Sequence, residues 1–196
     1  MKIPFFGSTI DHFGKTWWAP RILNDIWSFL KTGERVLDIG AGGGWTGELI
    51  SEKKRAKVQL LDVEDFNRSK LSLVIYDGKS IPFPDNSFDS SLLLFVLHHC
   101  KDPLAVLKEA VRVTKSRIII YEDTYSSPFE RVLVCTNDFI ANSPIFLTDP
   151  VKMNMPYNYR KVAEWEKVFQ DIGLHVRFKR VTKHFMTKHV LFVLDK

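Results

Sequence analysis

A glycine-rich turn, Gly40–Gly44, follows a short apolar segment, Val36–Ile39, and precedes a segment with helical composition, Trp45–Ile50. A buried strand, a glycine turn and a helix bring bare backbone against a ligand. Glycines lack the Cβ atom that would hold a ligand away, and they tolerate positive φ angles. The first turn of the helix directs unpaired N–H groups to the same place. The segment therefore predicts a binding loop, because so many glycines would otherwise only weaken the strand and the helix.

One carboxylate distinguishes between two possible ligands of this loop. Gly42, Gly44 and Gly47 match G-x-G-x-x-G, a weak pattern that is also found in dinucleotide-binding loops. Asp38 lies inside the predicted strand, where a carboxylate would repel a pyrophosphate and attract a cation. S-adenosylmethionine carries an ammonium group and a sulfonium centre but no phosphate. The set of Asp38, Gly40, Gly42 and Gly44 therefore favours S-adenosylmethionine over NAD.

Two further acidic residues follow predicted strands. Asp62 ends the apolar segment Lys57–Leu61 about twenty residues after the loop, a position from which a carboxylate accepts two ribose hydroxyl bonds. A helix cap is the alternative role for such a residue. Asp77 and Gly78 follow the predicted strand Leu73–Tyr76, and ligands of open α/β sheets lie at the carboxyl ends of strands. We expect Asp77 to accept from an adenine amino group and Gly78 to let the ring lie on the backbone.

The rest of the chain continues an alternation of strands and helices. The predicted strands are Ser91–Leu97, Arg117–Tyr121, Leu174–Val181 and His189–Leu194, and the predicted helices are Leu104–Thr114, Phe129–Ile140 and Arg160–Gly173. The link between Asp62 and the next strand is too short for a full crossover helix. Open parallel sheets of this kind are α/β folds.

Composition restricts the class of protein. The 196 residues, of which 45% are hydrophobic and 26% charged, fit one globular domain. No apolar run is long enough to span a bilayer, so no membrane insertion is expected. Cys100 and Cys135 make no disulfide framework, which favours a cytoplasmic location. The net charge of +5 permits a nucleic-acid partner without requiring one, and a monomer or homodimer is expected.

The segment from Tyr76 to Lys115, taken with the glycine loop and Asp62, resembles the small class I S-adenosylmethionine-dependent methyltransferases typified by the ubiquinone/menaquinone biosynthesis enzymes. The resemblance covers roughly residues 34 to 123. It implies a Rossmann-like three-layer α/β sandwich, with a mostly parallel seven-stranded sheet and a terminal antiparallel strand. It also implies cofactor binding by Gly40, Gly42, Asp62, Asp77, Gly78 and Phe95. Two departures are the short link after Asp62 and the absence of a glycine turn at 114–117.

We expect a single domain over residues 1–196 with two additions. Residues 1–34 form an N-terminal helical arm, in which Trp17 and Trp18 either cover the cofactor or pack on the core. Residues 124–159 form an irregular insertion rich in aromatic residues and methionine. Long loops in compact domains are often functional. We interpret the insertion as a cover for the acceptor pocket, with a packed connecting arm as the alternative.

Methyl transfer requires that the acceptor atom be aligned with the methyl group and that water be excluded. Some acceptors also need a base. Candidates near the strand ends are His98, His99 and Glu122, with Asp123 beside them. No metal site is expected, because adjacent residues on an extended chain point to opposite sides. The Asn-Pro-Pro-Tyr type of motif found in adenine-N6 methyltransferases is missing, which favours a small-molecule O, N or C acceptor. The alternatives are an RNA or protein acceptor, a catalytically silent cofactor-binding subunit, and an NAD-dependent oxidoreductase.

Overall fold

A computed structural model describes residues 12–141, 156–184 and 187–196. In this part of the chain, seven strands form one sheet in the order β3-β2-β1-β4-β5-β7-β6. The strands are β1 Arg35–Ile39, β2 Lys57–Asp62, β3 Leu73–Ile75, β4 Phe88–Leu94, β5 Thr114–Thr124, β6 His175–His184 and β7 Thr187–Asp195. Strands β1 to β5 are parallel, and β7 lies antiparallel between β5 and β6. The predicted, mostly parallel seven-stranded sheet is confirmed.

Helices cover both faces of the sheet. They are α1 Ala19–Ile26, α2 Trp45–Lys54, α3 Pro103–Val113, α4 Pro128–Ala141 and α5 Val162–Asp171. Side chains alternate along β5, so that Ile118 and Ile120 pack under α3 and α5 while Ile119 packs under α1 and α2. This arrangement is the predicted three-layer Rossmann-like sandwich. No helix in the described ranges is long and apolar enough to cross a membrane.

The prediction that the strand Ser91–Leu97 extends to Leu97 is wrong. Strand β4 stops at Leu94, because Phe95 takes a left-handed φ of +59°. The N–H of Phe95 makes the last bond of the ladder, to the carbonyl oxygen of Tyr121. The chain then forms a short 3₁₀ turn, Leu97–His99. His98 and His99 are therefore not on an extended segment, and the reason for expecting no metal site there does not hold.

The link from β2 to β3 contains no helix, as its length predicted. Hydrogen bonds attach this link to the glycine loop and to α2. The N–H of Arg68 donates to the carbonyl oxygen of Gly43 at 3.0 Å, and the N–H of Lys70 donates to the Glu48 carboxylate at 3.0 Å. The carboxyl ends of β1, β2 and β3 therefore lie together at one edge of the sheet.

Candidate cofactor and acceptor site

The glycine loop is closed on one side and open on the other. Gly40, Gly42 and Gly44 have φ angles of +70°, +52° and +73°. A Cβ atom on Gly40 would lie 2.1 Å from Cγ2 of Val96, so the back of the loop packs tightly on the segment after β4. A Cβ atom on Gly42 would meet nothing within 4 Å. The open side leaves the backbone at Gly42 accessible to a ligand.

Asp62 holds the loop from the end of β2. Its carboxylate accepts the N–H of Gly42 at 2.8 Å and the N–H of Val63 at 2.7 Å. Burial raises its pKa despite these hydrogen bonds, which act in the opposite direction. Each carboxylate oxygen has two lone pairs and so retains capacity for a further donor, such as a ribose hydroxyl.

Asp38 lies on β1 beneath the same loop and is 3% exposed. Burial and the negative charge of Asp62 raise the pKa of Asp38 to about 7. Gly47 makes room for it, because a Cβ atom there would lie 3.1 Å from the Asp38 carboxylate. Two buried carboxylates beneath an open backbone loop would stabilise a bound cation. S-adenosylmethionine fits this requirement better than a pyrophosphate.

Asp77 and Gly78 lie at the rim of this edge, after β3. Oδ1 of Asp77 accepts the N–H groups of Lys79 and Ser80 at 2.8 Å each, and these bonds lower the pKa of the exposed carboxyl. Gly78 has a φ of +75°, which a residue with a side chain rarely adopts. The two residues form a tight turn beside β2, the position expected for an adenine ring.

An aromatic wall stands at the carboxyl end of β4 and consists of Trp18, Phe95, Tyr121 and His189. The Phe95 ring centroid lies 5.2 Å from that of Trp18, 4.9 Å from Tyr121 and 5.1 Å from His189. Nε2 of His189 lies 3.1 Å from the Asp123 carboxylate. The left-handed backbone at Phe95 costs about 1–2 kcal/mol, and such strain concentrates at functional sites.

The N-terminal arm contributes one of its two tryptophans to this wall. Residues Gly14–Trp18 form a π-helical turn, and a Cβ atom on Gly14 would lie 2.3 Å from the Trp45 ring, so the arm packs closely on the start of α2. Trp18 reaches Phe95, whereas Trp17 is 57% exposed. The arm therefore both packs on the core and borders the site.

The predicted base candidates form a buried cluster on the opposite face of β5. Nδ1 of His98 lies 2.5 Å from one oxygen of Glu122, whose other oxygen accepts the N–H groups of Val96 and Leu97. Asp138 on α4 lies 3.7 Å from Nε2 of His98 and 3.7 Å from Nε2 of His99. Burial opposes the charged form of His98, but Glu122 and Asp138 raise its pKa to about 10. Burial and the neighbouring His98 lower the pKa of His99 to about 4.

The sequence did not reveal Asp138 or His189 as members of the site. Asp138 comes from a helix forty residues along the chain, and no spacing signal marks it. His189 faces Asp123 in the register of β5 and β7, so pairing of those two strands was the signal that could have found it.

Comparison with known proteins agrees with the geometry. Residues 37–121 match the family model described as a methyltransferase domain. The ubiquinone/menaquinone biosynthesis C-methyltransferase of Pseudomonas putida is 28% identical over 192 residues, which cover 85% of this chain and 73% of the relative. The demethylmenaquinone methyltransferase of Paenarthrobacter aurescens is 34% identical over 101 residues, which cover 47% of this chain and 40% of the relative.

A solved structure extends the agreement to the whole fold. An S-adenosylmethionine-dependent methyltransferase of Aquifex aeolicus superposes with a TM-score of 0.65 and 19% identity, covering 99% of this chain and 98% of its own. The matched domain covers β1 to β5, which supply the glycine loop, Asp62 and Phe95. The chain therefore resembles the class I S-adenosylmethionine-dependent methyltransferases, the ubiquinone/menaquinone methyltransferases among them, in sequence over residues 37–121 and in the fold of the whole sheet.

Proposed function

We propose that this methyltransferase acts on an O, N or C atom of a small, flat or apolar acceptor. The aromatic wall around Phe95 carries the proposal, because stacked rings beside the glycine loop suit a planar or apolar molecule. The relatives named for quinone biosynthesis support an aromatic ring as the acceptor.

The cofactor would lie along the edge formed by the ends of β1 to β4. Asp38 would face its ammonium group, which S-adenosylhomocysteine shares, Asp62 its ribose, and Asp77 with Gly78 its adenine. The loop glycines Gly40, Gly42 and Gly44 would give it bare backbone, and Phe95 would border the methyl group. When bound, the cofactor supplies a methyl group on a positively charged sulfur. The residues of the chain have to aim the acceptor and exclude water.

His189, paired with Asp123, is placed to act as a base where an acceptor needs one. The pair lies on the same face of β5 as Tyr121 and Phe95, and the carboxylate would stabilise the protonated ring. His98 and Glu122 are each at most 1% exposed and hold one another. His99, which is neutral near pH 7, is the more accessible of the two adjacent histidines.

The insertion over residues 124–159 would cover the acceptor. Its helix α4 brings Asp138 to the histidines, and Asn158 donates from its N–H to the carbonyl oxygen of His98 at 3.0 Å and from Nδ2 to that of Cys100 at 2.7 Å. Residues 142–155 of the insertion, which include its methionines Met153 and Met155, lie outside the described residues.

Transfer of labelled methyl groups tests the acceptor class. The full chain with methyl-labelled S-adenosylmethionine is offered a metabolite extract, an RNA fraction and a protein fraction. We expect label in the organic-extractable metabolites, and label in RNA or protein would contradict the proposal. Calorimetric titration with S-adenosylhomocysteine and with NAD separately checks the cofactor, and binding without transfer to any fraction would favour a silent partner subunit.

A further inference from the structure

We propose that His98, His99 and Asp138 bind one divalent transition-metal ion, with Zn²⁺ as the best fit. One potential ligand atom from each of the three residues lies within 4.8 Å of the others. The site is distinct from the glycine loop and the two aspartates beside it, and the inference does not depend on which acceptor is methylated.

The 3₁₀ turn after β4 brings the two imidazoles to one side. Their ring centroids are 4.1 Å apart, although the residues are adjacent in sequence. Helix α4 adds Oδ1 of Asp138 at 3.7 Å from Nε2 of both rings. Zn–N and Zn–O bonds of about 2.0–2.2 Å place tetrahedral ligand atoms about 3.3 Å apart, so each of these two pairs needs to contract by only about 0.4 Å.

The buried polar atoms of the cluster point to a missing ligand. Nε2 of His98 is buried without a hydrogen-bond partner, in a residue that is 1% exposed. The Tyr159 ring stacks on His98, with 4.6 Å between the ring centroids. A buried nitrogen without a hydrogen-bond partner is unfavourable, and coordination of a metal would remove that penalty.

Glu122 supplies the outer carboxylate that metal-binding histidines commonly have. It fixes Nδ1 of His98 at 2.5 Å and is itself held by two backbone N–H groups. A carboxylate that accepts from Nδ1 leaves Nε2 to coordinate the metal. Two imidazoles and one carboxylate are a recurrent catalytic zinc set, with a fourth position left for water or an acceptor oxygen.

Metal content of the full chain tests the proposal. Protein stripped with a chelator is dialysed against zinc sulfate alone or cobalt chloride alone, and the bound metal is counted. We expect one ion per chain, a higher thermal unfolding midpoint, and cobalt absorption bands typical of four- or five-coordination. Asp138→Asn and His99→Gln should lose the ion, whereas the matched variants Asp171→Asn and His175→Gln, at exposed positions, should keep it.

Glu122→Gln distinguishes a metal site from a simple ion pair between Glu122 and His98, because only a metal site predicts a change in zinc affinity. The glutamine amide that replaces the carboxylate would donate to Nδ1 of His98, leaving the proton on Nε2, the atom that must bind the metal. We expect zinc affinity to fall about 10–100-fold. The proposal is overturned if folded wild-type protein that binds S-adenosylhomocysteine retains no stoichiometric metal. It is equally overturned if Asp138→Asn and His99→Gln retain the metal as the wild type does.

Discussion

Two regions at the same edge of the sheet bury ionisable groups, and they do so with opposite charge balance. In the carboxylate region, Asp38 and Asp62 lie together. Burial and the charge of Asp62 both raise the pKa of Asp38. In the histidine region, His98 lies between Glu122 and Asp138, which keep it charged while no metal is bound. The first region carries a negative charge that a positive ligand would stabilise, whereas the second already contains both signs.

The difference shows which observation indicates a cofactor site. Burial is similar in the two regions, with Asp38 at 3% and His98 at 1% exposure. The carboxylate region opens onto the bare backbone at Gly42, so a cation can approach it. Uncompensated charge beside open backbone therefore indicates the methyl donor, and burial alone does not.

The largest effect is expected from Gly40→Ala, which disrupts the carboxylate region through its loop. The added Cβ atom would lie 2.1 Å from Cγ2 of Val96 and would stand on a residue with a φ of +70°. Overpacking together with left-handed strain should cost about 2–5 kcal/mol and abolish binding of S-adenosylhomocysteine. Urea unfolding and calorimetry measure the two effects.

Gly33→Ala is the matched control for this change. Gly33 has a φ of +77° and nothing within 4 Å of its added Cβ atom, and it lies before β1, away from the loop. We expect a loss of about 1 kcal/mol from strain alone and unchanged binding. Equal binding losses in both glycine variants would contradict the role of the loop.

His189→Gln should lower kcat about 100-fold or more if proton removal limits the reaction. The change removes the imidazole that would accept the proton while keeping a polar side chain beside Asp123. Rates are measured with the labelled acceptor over a range of pH, with His175→Gln as the control. An unchanged pH profile of kcat would exclude His189 as the base.

Glu122→Gln should destabilise the histidine region by about 3 kcal/mol, because it removes one partner of a buried charge. The folded pKa of His98, about 10, exceeds its unfolded value of 6.5. Its contribution is therefore complete below pH 6.5 and is lost as the pH rises toward 10. Urea unfolding of metal-stripped protein at pH 6 and pH 9 should show this loss in the wild type, and little of it in the variant.

Asp38→Asn should stabilise the free protein, whereas Glu122→Gln destabilises it. Because the folded pKa of Asp38 is about 7 and its unfolded value is 3.8, the ionised carboxyl opposes folding above pH 7. The amide should therefore stabilise the free protein by about 1–4 kcal/mol at pH 8, while S-adenosylhomocysteine binds about 10–100-fold more weakly. A loss of stability in Asp38→Asn would remove the contrast between the regions.

The smallest expected effect is the pH dependence of binding. A cation beside Asp38 needs the ionised carboxyl, so affinity should rise with pH and level off above about 7. S-adenosylhomocysteine should bind about tenfold more weakly at pH 6 than at pH 8. Calorimetry in two buffers of different ionisation enthalpy should show proton release in the wild type. The Asp38→Asn variant should release none.

The sequence predicted features that depend on neighbouring residues. The glycine loop, the strand-end position of Asp62 and the start of α3 at Asp102 and Pro103 follow from local patterns, and the structure has them. The order of elements also followed from alternation of strands and helices. The short link after Asp62 correctly predicted that no helix would precede β3.

Features set by distant parts of the chain were not predictable. The apolar pattern of residues 91–97 continues past Leu94, but the left-handed backbone at Phe95 ends the strand there. That early end turns both histidines inward, where they meet Asp138 from α4. The pattern of a single sequence contains no information about such long-range contacts, because these contacts depend on how the helices pack over the sheet.

The position of β7 determines when each region can form during synthesis. The glycine loop, Asp62 and Asp77 all lie within the first half of the chain, and their strands pair with one another. The strand β7 emerges from the ribosome after β6, yet it separates β5 from β6 and carries His189. The residues of the donor-binding edge are therefore all synthesised before the aromatic wall receives its last member.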